Sequence, residues 1–313
     1  MTANTAIQPR SSFSVWLQAI RAFAFPASVV PILVGAMLAL NYQGDVMWEL
    51  FPLVFICSIL YHGGTNLVSD YYDYVKGVDK NYTFGSSRVV VEGLLTARQI
   101  LNGGLLLFGL GVLFGLGLLY FRGLPMFYLG AIGLIGGYLY CGKPIGFKYI
   151  ALGDLGVFTL MGPLMTIGSY YALTGDFTRA GLMTPLLVSI PVGMLTAAIL
   201  HANNTRDITH DNEARIKTFA GLIGHKAAKV EYLILVLGAF AAVGLMVWSK
   251  TLPIYSLAVF ISIVPALKNI RQMFASHPGN VEDIAMLDVQ TAQHHLMFGV
   301  LLVISIVVGA LVK

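Results

Sequence analysis

Almost the whole chain after residue 14 divides into apolar stretches, each about as long as the roughly 20 residues that cross a lipid hydrocarbon layer as a helix. Inside lipid every backbone N–H and C=O needs a partner within the chain, so such stretches fold as packed helices. Charge content excludes a soluble fold: 11% of the 313 residues are charged and 57% are hydrophobic, against about a quarter charged in a soluble domain. Apolar runs set against turn sequences such as GLP at 123–125, GKP at 142–144, TGDFT at 174–178 and SHPG at 276–279 define about nine spans. They are expected near 15–40, 50–75, 98–121, 124–141, 151–173, 182–205, 229–249, 252–275 and 291–312. The expectation is an all-α integral membrane protein, one domain over 1–313 with residues 1–14 as a polar tail. That tail lacks the basic start, apolar run and cleavage site of a secretory leader, so the first span should remain as a helix.

When the loops alternate sides, 15 of the 19 Lys and Arg residues fall together, leaving Arg122, Arg179, Lys250 and Lys313 opposite. Basic loops stay in the cytoplasm, which places the N-terminus and the charge-rich loops there and the C-terminus outside. In a prokaryote the membrane would be the plasma (inner) membrane. Two segments on the basic side, roughly 76–97 and 206–228, read as long polar loops, where function tends to sit. The glycine runs at 109–117 and 130–137 suit close helix packing. Cys57 and Cys141 have neither CxxC spacing nor a histidine ligand pattern, so neither a disulfide nor a metal role is expected.

The span ends carry the chemistry. The second closes with NLVSDYYDYVKGVD, where Asn66, Asp70 and Asp73 fall within about 60° of one another on a helix. The sixth closes with NNTRDITHD, where Asn203, Asp207 and Asp211 repeat that one-faced stripe. Asn66 to Asn203 and Asp70 to Asp207 share one offset of 137 residues, which hints at duplicated halves. Carboxylates at the end of a membrane helix need a watery cavity or a cation. Two facing stripes of hard oxygen ligands without sulfur suit Mg²⁺, which takes one or two carboxylates and completes its shell with substrate phosphate. A diphosphate also needs basic partners, and Lys76, Arg88, Lys143, Lys148, Arg206 and Lys217 lie on the motif side. Asp154, at the start of the fifth span, could orient Lys148 or simply favour a helix N-terminus. His62, His201, His294 and His295 read as hydrogen-bonded interior groups, and His210 points away from Asp211.

These segments resemble the UbiA superfamily of intramembrane prenyltransferases. Within it NLVSDYYDYVKGVD, GSSRVVVEGLL, YLYCGKPIGFKYIALGDLGVF, MGPLMTIGSYY, NNTRDITHD and LDVQTAQHHLMFGVLL are similar, in order and spacing, to the 1,4-dihydroxy-2-naphthoate polyprenyltransferases of menaquinone synthesis. Two positions depart from that pattern: Arg215 stands where glycine is expected, and Cys141 where threonine is common. The resemblance implies about nine helices around a central cavity. It implies that Asn66, Asp70, Asp73, Asp207 and Asp211 bind Mg²⁺ that holds the diphosphate, with Asn203 or Asn204 in support. Arg88, Lys143, Arg206 and Lys217 would stabilise the leaving pyrophosphate, and the acidic residues with Lys217 would form the catalytic set. The allylic C–O bond breaks, the ring attacks the carbocation, and in the naphthoate branch the ring carboxylate leaves as CO₂.

An allylic cation needs apolar or π-rich walls. Tyr71, Tyr72, Tyr74, Tyr138 and Tyr140 lie at the right membrane level to supply them. The partners implied are a polyprenyl diphosphate, an aromatic acceptor and membrane lipid, with no nucleic acid. A sibling enzyme acting on 4-hydroxybenzoate or homogentisate is the nearest alternative. An ion-coupled secondary transporter is the alternative from another class, since repeated halves and intramembrane acids mark those too.

Overall fold

Local signals place the helix ends. Thr96 accepts from the Gln99 amide and Gln99 reaches back to the Thr96 N–H, a reciprocal cap that starts a helix at Ala97. Thr178 and Thr218 cap two later helices through their hydroxyls alone, which accept from the Gly181 and Gly221 amides. The protein's structure, a computed structural model, describes residues 11–80 and 85–312. Arg10, Lys313 and the first ten residues of the polar tail lie outside the described residues.

The helices are α1 (Ser12–Ala19), α2 (Pro26–Leu38), α3 (Phe51–Val75), α4 (Ala97–Arg122), α5 (Leu124–Leu139), α6 (Gly153–Thr159), α7 (Met165–Thr174), α8 (Arg179–Arg206), α9 (Ile208–Glu213), α10 (Phe219–Trp248), α11 (Ile263–Ala275) and α12 (Leu287–Leu311). Among the described residues, seven helical stretches are long and apolar enough to cross a membrane. The other two expected spans are the 16-residue α5 and the pair α6 and α7, which run on through a wide turn at Leu160–Leu164. Pro163 sits in that turn, where the i+5 spacing absorbs its missing N–H.

Four expectations needed correction. The stretch 15–40 is not one span, because the chain turns at Arg21 (φ 53°) and restarts at Pro26, a residue favoured in a helix's first turn. The polar loop expected over 206–228 shrinks to a short connection, since α9 and the Thr218-capped start of α10 fill most of it and Gly224 (φ 77°) kinks the helix there. The span 252–275 opens with tight 3₁₀ turns at Ile254–Ser262 before α11, and α12 begins at Leu287 rather than 291.

The interior packs large apolar side chains such as Tyr232, Phe298 and Leu302 and lets helices approach closely at several glycines, and the outer faces carry large apolar side chains such as Leu106, Leu113 and Trp248, each more than half exposed. A Cβ added at Gly162, in the wide turn, would stand 2.7 Å from the Cα of Gly193 in α8. Close packing holds at Gly111, Gly136 and Gly137, where an added Cβ would meet Tyr61, Leu160 and Thr65 within 2.8 Å. It does not hold at Gly109 or Gly130, which face open space. Both cysteines are buried and free.

Arg215 occupies the left-handed region at φ 56°, where a Cβ is strained. Arg215→Gly is expected to raise stability by about 0.5–1 kcal/mol, the left-handed penalty less the added freedom of the unfolded chain. Thermal unfolding in detergent measures this, and a lowered midpoint would contradict it.

Candidate active site

The last turns of α3 and α8 carry the two acidic stripes to the same end of the bundle, and three elements knit them together. The turn at Arg21 brings its guanidinium against the Asp70 carboxylate, while Asn66 donates to the Ile20 carbonyl at 2.9 Å. The segment 85–87 lies between the stripes. Ser87 donates to Asp70 through its amide at 3.2 Å and through its hydroxyl, and a Cβ on Gly85 would stand 3.4 Å from Asn203 Oδ1 and Asp207 Oδ2. The loop between α5 and α6 supplies Lys148, whose Nζ is 2.5 Å from Asp73 Oδ2, and Tyr149, whose hydroxyl donates to Asp73 Oδ1 at 2.8 Å. That loop is tied to the chain after the second stripe by two backbone bonds, Lys217 N–H to Tyr149 O and Ala151 N–H to Lys217 O.

In the second stripe Arg206 makes a two-pronged contact with Asp207, at 2.9 and 2.8 Å, and reaches Asp288 of α12 at 3.0 Å. The Asn203 amide fits with its nitrogen toward Asp207 Oδ2 and its oxygen toward Arg206. Cys141 donates to Ser69 at 3.1 Å, and Ser69 donates to Asp73 at 3.1 Å, so the thiol serves as a hydroxyl would, as a donor in the shell behind Asp73.

These groups close the polar end of a cavity of about 570 Å³ that runs between apolar helices past Tyr61, Leu134, Met161 and Leu164. Of the residues expected from sequence, Asn66, Lys148, Asn203 and Arg206 line it. Asp70, Asp73 and Asp207 stand directly behind the lining groups Arg21, Lys148 and Arg206. Lys76, Arg88, Lys143, Asn204 and Lys217 are not on its wall. Lys76 lies over the Tyr149 ring at 3.4 Å, and Arg88 pairs with Glu92 one turn on. Lys143 and Lys217 are exposed, and Asn204 is buried against Asp154. Among the tyrosines Tyr140 lines the cavity, whereas the Tyr72 and Tyr138 hydroxyls meet each other at 3.1 Å and Tyr74 is exposed. Asp154 does not orient Lys148: it binds His201 and Asn204. His62 is hydrogen-bonded to Ser28 at 2.6 Å, as an interior histidine should be.

Sequence reading missed Arg21, Asp79, Ser87 and Asp288. Asp79 had a signal in the spacing of the first motif, but Arg21 and Asp288 are distant in sequence from the acids and amides they serve.

Negative charge is in excess here. Burial and then the neighbouring Asp73 and Asp70 push the Asp79 carboxyl up to about 7. Burial also drives the rise of Asp211 to about 7, with Asp207 and Asp73 adding to it against the pull of Lys148. Burial works against the charged form of Lys148, but Asp73 overrides it and raises the amine above its ordinary value. Among the described residues no three His, Cys, Asp or Glu side chains close around a point as a complete ion cage. The donor set nevertheless fits Mg²⁺, which takes one or two carboxylates and keeps the rest of its shell for water and phosphate.

The matched family is described as the UbiA prenyltransferase family, and the match runs over residues 28–287. This chain belongs to that family. It is an integral membrane prenyltransferase, so the carrier alternative falls away. The UbiA prenyltransferase domain-containing protein 1 of Xenopus tropicalis is 30% identical over 311 residues, covering 98% of this chain and 86% of that protein. Its Homo sapiens counterpart is 32% identical over 303 residues, 96% of this chain and 85% of that protein. In fold the chain is similar to a UbiA homologue from Archaeoglobus fulgidus solved bound to GPP and Mg²⁺, with TM-score 0.58 at 15% identity over 92% of this chain and 99% of that one.

Proposed function

We propose that the chain, as one membrane domain, transfers a polyprenyl group from an allylic isoprenoid diphosphate to 1,4-dihydroxy-2-naphthoate, with loss of CO₂, to give demethylmenaquinone. One observation carries the transfer: three cations, Arg206 buried and Arg21 and Lys148 partly buried, stand in front of two converging carboxylate stripes at the polar end of a largely apolar cavity. The naphthoate acceptor is supported by the GSSRVVVEGLL, GKPIGFKYIALGD and TAQHHLMFG segments. The concentration of basic residues on the motif side supports placing that side in the cytoplasm.

An entering diphosphate competes with Asp70, Asp73 and Asp207 for Arg21, Lys148 and Arg206, and so frees carboxylate oxygens at the moment that substrate phosphate arrives. Asp70, Asp73, Asp207 and Asp211 would hold Mg²⁺, with the Asn66 oxygen available because its nitrogen is engaged at Ile20. Bound Mg²⁺ supplies neutralisation of the charge that gathers on the departing diphosphate. Arg21, Lys148 and Arg206 share that task from fixed positions, which lowers the barrier without reorganisation. The isoprenoid lies in the apolar cavity past Tyr61 and Met161, where water is excluded and the allylic cation survives to meet the ring.

The test is transfer of a radiolabelled isoprenoid diphosphate in membranes, with and without Mg²⁺, onto naphthoate, 4-hydroxybenzoate and homogentisate. Mg²⁺-dependent incorporation with naphthoate, and a product mass short by one CO₂, is expected. Incorporation onto a phenol without that loss would move the acceptor to a sibling, and none with any acceptor would remove the reading.

A further inference from the structure

Beside the start of the second stripe, on another face of α8, lies a buried polar cluster that takes no part in the chemistry above. His201 in α8 is fully buried, with Nδ1 2.8 Å from Asp154 Oδ2 and Nε2 2.9 Å from the Ala228 carbonyl of α10. Asn204, one turn on, donates to the other Asp154 oxygen at 2.9 Å. A carbonyl cannot donate, so Nε2 carries a hydrogen, and the Asp154–His201 contact needs a second proton on one partner or the other. The pair is therefore neutral in sum. Its carboxylate does not draw Lys148 away from Asp73, although Lys148 lies close to Gly153, the residue before Asp154. Through these three bonds one side chain at the start of α6 grips the end of α8 and, by way of His201, the start of α10. The chain leading into α6 carries Lys148 and Tyr149, which hold the first stripe, and the end of α8 carries the second.

We propose that Asp154 is a positioning residue of the prenyl-transfer site: it sets the second acidic stripe against the Lys148–Tyr149 loop, and through that loop against the first stripe. The inference rests on the proposed transfer activity. A side chain acting through hydrogen-bond geometry tolerates an isostere. In D154N the amide oxygen can still accept from Asn204, and its nitrogen can donate to Nδ1 while Nε2–H stays on Ala228. D154L removes both bonds that Asp154 makes and leaves only that of His201 to Ala228.

The experiment measures transfer in membranes for the wild type, D154N, D154L, N204L and D154L/N204L. D154N should stay within about threefold of the wild type, and D154L should lose roughly tenfold to a hundredfold in kcat with acceptor KM little changed, the signature of misplaced rather than missing groups. D154L/N204L should be no worse than D154L, because Asn204 acts through Asp154. Undiminished kcat in D154L, damage in D154N equal to that in D154L, or a double variant losing the product of both single effects would each overturn the proposal. So would a D154L deficit that vanishes well below its unfolding midpoint, which marks packing alone. Wild-type membranes that transfer no prenyl group would fail the underlying activity, whereas active wild type with equally active D154L fails this inference only.

Discussion

Asp70→Asn and Asp207→Asn each lower prenyl transfer by roughly a hundredfold to a thousandfold, the scale on which a fixed charge at a reacting group matters. The amide preserves the shape and one accepting oxygen, for Arg21 or Ser87 at position 70 and for one prong of Arg206 at position 207, while removing the charge that would hold Mg²⁺. Alanine is a blunter change at both positions. It takes a carboxylate partner from Arg21 at position 70, and at position 207 leaves Arg206 with Asp288 alone, so turnover and accumulation should fall together. Assay of washed membranes normalised to protein content separates the two effects. If both asparagine variants kept more than a tenth of wild-type turnover, the metal-site assignment would be lost.

Gly35→Ala should be the most destabilising small substitution in the helix bundle. An added Cβ would stand 2.3 Å from the Thr166 carbonyl oxygen, where α2 crosses α7 backbone against backbone. Neither partner is a flexible side chain that can step aside, so the helices must separate, at about 2–3 kcal/mol. Gly130→Ala is the control: nothing lies within 4 Å, and a better helix former should leave stability unchanged or raise it by up to about 1 kcal/mol. Unfolding midpoints in detergent decide this, and equal midpoints for the two variants would show that α2 and α7 are less tightly packed than the structure has them.

Helix existence was legible in the sequence because lipid leaves so few alternatives. An apolar stretch of crossing length can only be a helix, and most boundaries fall within a few residues of expectation. Misreadings cluster where local chemistry competes with hydropathy. The HKAAK run in 219–229 reads as a polar loop, yet it is the first part of α10, admitted by the Thr218 cap and the Gly224 kink. The 15–40 run reads as one helix, yet Pro26 restarts it and frees Arg21 to turn inward.

The acidic stripes were visible because i, i+4 spacing is a property of one helix. Their partners were not visible. Arg21 meets an acid 49 residues away and Arg206 one 82 residues away, and no periodicity links such positions. Composition made Lys76, Lys143, Lys148 and Lys217 equal candidates, and only the backbone of the loop before α6 puts Lys148 on Asp73.

What the sequence determined by itself is the membrane class, the helices and the oxygen-rich chemistry of two helix ends, because each follows from side chains on a single element. Which cation faces which carboxylate, and that Asp154 serves His201 rather than Lys148, was decided only by the tertiary structure. Charge pairing depends on distances between elements, and those are set by how the helices pack and by the turns and loops that join them.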